Sequence, residues 1–304
     1  MARGVALTAH QKAIVRKNRL HAYGFLLPNL IGLIVFTFVP VIISFGLSFM
    51  KWNSATPAQF VGLRNFRTMF SDSGFFASLW NTFYYTLGCV PLTIIIAVLL
   101  AVLLNTDIKG LSAFRAIHFF PHICSVVALS VVWQFLYYAD AGPINMALRA
   151  LGFTDPPRWT ASLVWAMPAL IIMNVWRSVG YYMVMFLAGL QTIPKQLYEA
   201  ANMDGANEWK KFWAITLPML SPTMFFAVII CIINSFHVFT AVYIMTQGGP
   251  GTATSVLVYQ IYNQAFVNFN FGYASALSLV LFIIIFAVTL VQFRAQEKWV
   301  NVVS

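Results

Sequence analysis

Six stretches of the chain run almost without charge, separated by short polar segments: Tyr23–Met50, Leu79–Leu104, Ile117–Tyr138, Leu163–Leu190, Met219–Met245 and Gly272–Phe293. About 20 mainly apolar residues cross the hydrocarbon of a bilayer as a helix, because each residue rises only about 1.5 Å. Every stretch is long enough, so the pattern predicts six membrane-spanning helices. Ten-residue segments of alternating polarity, the mark of a membrane barrel, are absent. The first run is too long for the apolar part of a cleavable leader and lacks a small-residue cleavage pattern, so it is expected to stay as an anchor. The expected organisation is a basic tail over residues 1–21, one membrane domain over 22–297 and a short tail over 298–304.

Composition narrows the class. Hydrophobic residues make up 60% of the 304 positions, charged residues only 9%, and the mean hydropathy is +0.79. Soluble domains carry about 25% charged residues, so a water-soluble fold is excluded. The net charge of +10 does not mark a nucleic-acid binder, because the basic residues sit at run ends rather than on one polar face. They set orientation instead. With the N-terminus in the cytoplasm, the inner segments hold Arg3, Lys12, Arg16, Lys17, Arg19, Lys109, Arg115, Lys195, Lys210, Lys211, Arg294 and Lys298. The outer loops hold Lys51, Arg64, Arg67, Arg149 and Arg158, twelve against five. Both termini and the loop near Glu199 are therefore expected inside. Cys89, Cys124 and Cys231 all fall within apolar runs with no CxxC pattern, which argues against both a disulfide framework and a zinc site.

One polar island stands out between the fourth and fifth runs, over residues 194–218. Pro194 suits the first turn of a helix, Lys195 to Met203 can form that helix, and Asp204-Gly205 can end it, glycine taking the left-handed conformation. A second short helix can start at Ala206 with Trp209, Phe212 and Trp213 on its apolar side. Pro218 and Pro222 then sit in the first turns of the next membrane helix, where proline is tolerated. The predicted product is a stiff elbow across one end of the bundle. On composition alone, an ordinary interfacial amphipathic loop would explain it equally well.

The spacing of Glu199, Ala200, Ala201, Gly205, Ile215, Leu217 and Pro218 resembles, position by position, the EAA loop of ABC-importer permeases. Ala188-Gly189-Leu190-Gln191-Thr192-Ile193-Pro194 leading into Leu197-Tyr198-Glu199, with Asp204-Gly205-Ala206, Trp209 and Phe212, is similar to its carbohydrate-importer version. Thr246-Gln247-Gly248-Gly249-Pro250, Gly272-Tyr273-Ala274-Ser275-Ala276 and Gly62-Leu63-Arg64-Asn65-Phe66 fit the same group. The resemblance covers nearly the whole chain beyond the basic tail, and within the group it points to the maltose-F-like or Ugp-A-like member of a permease pair. It implies the type I importer fold, all-α with six transmembrane helices. It implies that Glu199, Ala200, Ala201, Asp204, Gly205, Ile215, Leu217 and Pro218 belong to a coupling helix that docks on a nucleotide-binding subunit. The implied partners are a second permease, two ABC ATPases and an extracytoplasmic solute-binding protein, in the cytoplasmic membrane of a bacterium or archaeon. The chain has no GxxxxGK[ST] phosphate loop, so ATP and magnesium are expected on the ATPase partner and no cofactor on this chain.

Arg177 is the anomaly among the runs. A charge in mid-span costs about 2.5–3.5 kcal/mol even on a lenient insertion scale. None of the eight acidic residues falls within a predicted span. Arg177 must therefore meet an open cavity, backbone carbonyls, a partner chain or a ligand. Asn174, Arg177 and Tyr181 share one helix face at i, i+3 and i+7, and Asn234 and His237 form a similar pair in the fifth run. Such residues are as often interhelical hydrogen-bonding glue as ligand contacts, but their donors and acceptors suit a hydroxyl-rich solute. His118 and His122 have the spacing of a metal pair, yet Pro121 disturbs the helix between them and no carboxylate accompanies them. That segment is read as the entry to the third span. Together these readings predict uptake of a sugar, a di- or oligosaccharide. The alternatives are a glycerol-3-phosphate or glycerophosphodiester importer, where Arg177 would suit an anion, and an ion-driven secondary transporter, which would normally need acidic residues within its spans. No HExxH, GxSxG or paired intramembrane Asp supports an enzyme.

Overall fold

The computed structural model describes residues 9–106 and 110–299. Helices in chain order are α1 (Ala9–Leu33), α2 (Val39–Leu47), α3 (Arg64–Phe70), α4 (Ser73–Leu103), α5 (Leu111–Ile123), α6 (Val126–Leu136), α7 (Pro143–Ala150), α8 (Ala166–Gln191), α9 (Lys195–Met203), α10 (Glu208–Lys211), α11 (Leu217–Phe236), α12 (Thr240–Met245), α13 (Leu257–Tyr262) and α14 (Phe271–Trp299). A two-residue antiparallel hairpin pairs β1 (Met50–Lys51) with β2 (Gln59–Phe60). Of the two tails, residues 1–8 and 300–304 lie outside the described residues, as do Arg3 and Lys109. From Ala9 onward the chain is already helix, continuous with the first span.

Among the described residues, five helical stretches are long and apolar enough to cross a membrane: His21–Leu47, Ser73–Leu103, Ala166–Gln191, Glu208–Met245 and Phe271–Gln296. The third predicted run, Ile117–Tyr138, is not one straight helix. It breaks into α5 and α6, which meet at 98°. Pro121 weakens the helix there, and Cys124 and Ser125 are extended, with ψ of 150° and 125°. The fifth run is also interrupted, at His237–Phe239, where Phe239 leaves helical geometry at φ −142°. Two further irregularities share a cause. Wide π-turns at Ile34–Phe38 and Phe212–Thr216 each precede a proline, Pro40 and Pro218, by two residues. A proline lacks the amide that would close the preceding turn, and the widened turn absorbs the mismatch.

The core forms where α4, α8 and α11 pack together, around Tyr85, Leu170, Met173, Met183, Phe186 and Leu220. Helix α5 crosses α8 at Gly180, where an added Cβ would lie 1.8 Å from the His118 carbonyl oxygen. Glycine is required for that approach. At the hairpin end, Asp72 clasps three elements. Its carboxylate caps α4 through the Gly74 amide at 2.8 Å, and accepts from Tyr273 Oη at 2.8 Å and Gln260 Nε2 at 3.4 Å. Asn81 donates to the Thr252 and Ser255 carbonyls at 2.7 and 2.9 Å, tying the loop before α13 to α4. The first span shows the opposite character: the residues of its apolar window are unburied, and Phe25 and Phe36 are more than four-fifths exposed.

Candidate functional site

Helix α8 carries the centre of the site. The face bearing Asn174 and Arg177 looks into a cavity of about 400 Å³ whose other walls come from α4, the α5–α6 break, α11 and the α11–α12 break. That volume lies within the range of about 300–1,000 Å³ usual for small-molecule sites. Asn174, Arg177, Asn234 and His237 all line it. Tyr181 does not. Its ring stacks instead on His122, with centroids 4.5 Å apart and planes 18° from parallel, and His122 lines the cavity. The neighbouring Tyr182 faces the cavity in its place.

Most polar groups here have a defined partner, and two do not. Asn174 donates to Cys89 Sγ at 3.6 Å. His237 Nδ1 sits 2.8 Å from the Ile233 carbonyl oxygen, to which it donates, leaving Nε2 without a partner among the described residues. By contrast, Arg177 Nε and His122 Nδ1 are buried with no hydrogen-bond partner. No acidic side chain lines the cavity. Among the described residues the one ion pair is Lys211–Glu208, far along the sequence in the elbow. The guanidinium of Arg177 therefore stands without a counter-charge. Among the described residues, no group of three or more His, Cys, Asp or Glu could hold a metal.

Sequence reasoning missed Tyr85, His122, Ser178, Tyr182 and Ser235, which also line the cavity. Ser178 was available, since it lies one turn from Asn174. His122 was set aside as a span entry. The signal was Pro121: a helix broken at membrane depth turns its neighbouring polar side chain and its own ends toward whatever lies inside the bundle. Tyr85 carried no sequence signal of its own, because only the tertiary packing of α4 on α8 brings it there.

The elbow is built from local rules. Helix α9 closes in a Schellman motif: the Gly205 amide bonds the Asn202 carbonyl at 3.0 Å and the Ala206 amide bonds the Ala201 carbonyl at 2.9 Å, with Gly205 at φ +71°. Pro194 stands one residue earlier than expected, at the N-cap of α9. The second helix starts at Glu208 rather than Ala206, because Asn207 caps it by accepting from the Lys210 amide at 2.8 Å. Lys211 is buried and joins the two helices, donating to Asn202 Oδ1 at 2.8 Å and to Glu208. Tyr198 Oη and Thr216 Oγ1, 3.0 Å apart, fasten α9 to the root of α11. Glu199, Ala200, Asp204 and Gly205 are exposed, while Ala201, Ile215, Leu217 and Pro218 are half-buried. Apolar side chains share the exposed surface, Met203 at 89% and Trp209 at 69% exposure. The arrangement is a closely tied pair of short helices with apolar side chains on its outer surface.

Residues 66–300 match the family described as binding-protein-dependent transport system inner membrane component. The protein named Probable ABC transporter permease protein YesP, of Bacillus subtilis, is 37% identical over 291 residues, covering 94% of each chain. The sn-glycerol-3-phosphate transport system permease protein UgpA of Agrobacterium fabrum is 32% identical, covering 95% of this chain and 99% of its own. In structure, a chain of a bacterial ABC transporter involved in the import of the acidic polysaccharide alginate superposes with a TM-score of 0.82 at 23% identity, covering 94% of this chain and 98% of that one. A bacterial alginate ABC transporter in complex with alginate pentasaccharide-bound periplasmic protein gives the same TM-score. The chain belongs to the binding-protein-dependent transport system inner membrane component family, the multi-pass permeases of ABC transporters.

Proposed function

We propose that this permease carries a sugar, a di- or oligosaccharide, by alternating access through the cavity around Arg177. The observation that supports it most directly is the cavity itself. Asparagine, serine, tyrosine and histidine side chains converge there from four spans, and such groups both donate to and accept from hydroxyls. The fold match to a transporter of a polysaccharide favours the same reading. The cavity is expected to be completed by a second, related permease in a heterodimer. A binding protein outside delivers the solute, and two ABC ATPases inside hold ATP and magnesium and perform the hydrolysis.

The elbow receives the force of that hydrolysis. Its exposed Glu199, Ala200 and Met203 present small, charged and apolar groups to a docking partner. The excess of basic residues on the same side supports a cytoplasmic position for it and for both termini. A rigid lever rooted in two spans converts a domain closure into a tilt of those spans. A second reading, import of glycerol-3-phosphate or glycerophosphodiesters, is favoured by the uncompensated Arg177 and by the likeness to UgpA. The test is purification of the permease with its neighbours from native membranes, followed by reconstitution. An ATPase pair should co-purify, and saccharide uptake should require ATP; uptake driven by an ion gradient without ATP sinks the proposal.

A further inference from the structure

We infer that Arg177 and His122 form a receptor for an anionic substituent, a carboxylate or a phosphate, on the hydroxyl-rich solute. The inference rests on the import reading above and divides the possible solutes by charge. Its first ground is the cost of the alternative. A guanidinium within the spans must be compensated, and the usual compensation is an acidic neighbour. None lines this cavity, and no ion pair reaches Arg177 among the described residues. Its Nε is shielded from solvent and bonded to nothing. The planar fork of donors is therefore left available, and that fork matches the two oxygens of a carboxylate or phosphate.

The second ground is His122, which comes from a different helix. Its Nδ1 is likewise buried and partnerless, and the stack on Tyr181 at 4.5 Å fixes the ring plane. A braced ring with an unused nitrogen at the same cavity adds a further hydrogen-bonding position. The third ground is the break between α5 and α6. Val126, the first residue of α6, lines the cavity, and its N-cap Ser125 makes no side-chain capping bond. The positive end of an eleven-residue helix thus faces the same space. Asn234, Ser235 and His237, which can bond hydroxyls, are supplied by a different element, α11 and the break that follows it. The charge in the cavity is concentrated at Arg177 on α8, beside the α5–α6 break, while α11 brings the uncharged Asn234 and Ser235. A solute with an acidic group at one end and hydroxyls at the other fits that division.

The test uses the complete transporter in proteoliposomes with its binding protein, and three labelled probes: maltose as the neutral sugar, digalacturonate as the carboxylate and sn-glycerol-3-phosphate as the phosphate. Uptake of at least one anion is expected, and which of the two enters separates carboxylate from phosphate. Arg177→Gln should lower that uptake about tenfold or more, Arg177→Lys should recover part of it, and His122→Ala should lower it about fivefold. Assembly with the ATPases and basal ATP hydrolysis in the Arg177→Gln complex serve as the folding control. If that complex does not assemble, the comparison of Arg177→Lys with His122→Ala decides. Anion uptake that is equal in native and both of those variants overturns the inference. Uptake of maltose alone also overturns it while leaving the importer reading intact. Uptake of every probe without ATP would instead sink the importer reading.

Discussion

The elbow and the cavity solve opposite problems. Within the elbow, the ties act over a few residues: Gly205 and Ala206 close α9, Asn207 opens α10, and Lys211 ties the two. Its side chains Met203 and Trp209 lie open on the outside. In the cavity the polar groups come from residues as far apart as Tyr85 and Thr240, and two of them are left without a partner. The elbow is a self-sufficient part that offers a surface. The cavity is a shared space whose charge is unanswered until something enters. One site can be altered by local changes, while the other depends on how helices cross.

That contrast can be broken most forcefully at Gly180. In the Gly180→Val protein the new side chain meets the His118 carbonyl, and neither backbone can yield without moving α5 against α8. A loss of about 3 kcal/mol or more is expected, read as a fall in melting temperature in detergent and in the amount reaching the membrane. A variant as stable as the native protein would show that the crossing does not frame the cavity. A smaller effect belongs to Lys211→Met, which removes both tethers inside the elbow and should cost about 1–3 kcal/mol. Hydrogen exchange should quicken in α9 and α10, and transport should fall, with no change in the ranking of solutes. A changed ranking would mean that the elbow and the cavity are not separable. The smallest effect is at Asn207. Loss of the cap in Asn207→Ala should cost about 1 kcal/mol, confined to the amides at the start of α10; spread of faster exchange into α8 would contradict the local character of the elbow.

The same contrast explains what the amino-acid order reveals. The six apolar runs correspond to five helices of span length and one bent pair, because length and hydropathy are what a bilayer selects. The elbow could be read residue by residue, since Pro194, Gly205 and the spacing to Pro218 act on their own neighbours. Its small errors, the start of α10 and the place of Pro194, came from the cap at Asn207 and from the extended backbone at Pro194 (ψ 129°). Half of the cavity was legible for the same reason: Asn174 and Arg177 sit on one helix, where spacing fixes a common face. Their meeting with Asn234 and His237 depends on the packing of α8 on α11, which no local rule encodes. Helix α5 gave the clearest failure. An apolar run of span length reads as one membrane span disturbed at Pro121, yet the extended Cys124 and Ser125 turn it through 98° into two helices. His122, discounted as part of a span entry, became a wall of the site through that division.

The two interrupted spans have one more consequence, and it concerns hydration. A helix that stops within hydrocarbon leaves amides and carbonyls at its ends that no lipid tail can satisfy. Both interruptions, at Cys124–Ser125 and at His237–Phe239, border the same cavity. Some are answered within the protein, as where the Ser125 carbonyl accepts from Leu129 and the Phe239 carbonyl from Tyr243; the rest call for water, which a cavity with this polar lining can admit. A polar solute then exchanges one set of hydrogen bonds for another instead of shedding its water into an oily space. The barrier to its passage is set by how well the cavity replaces its hydration shell, and not by the thickness of the membrane around it.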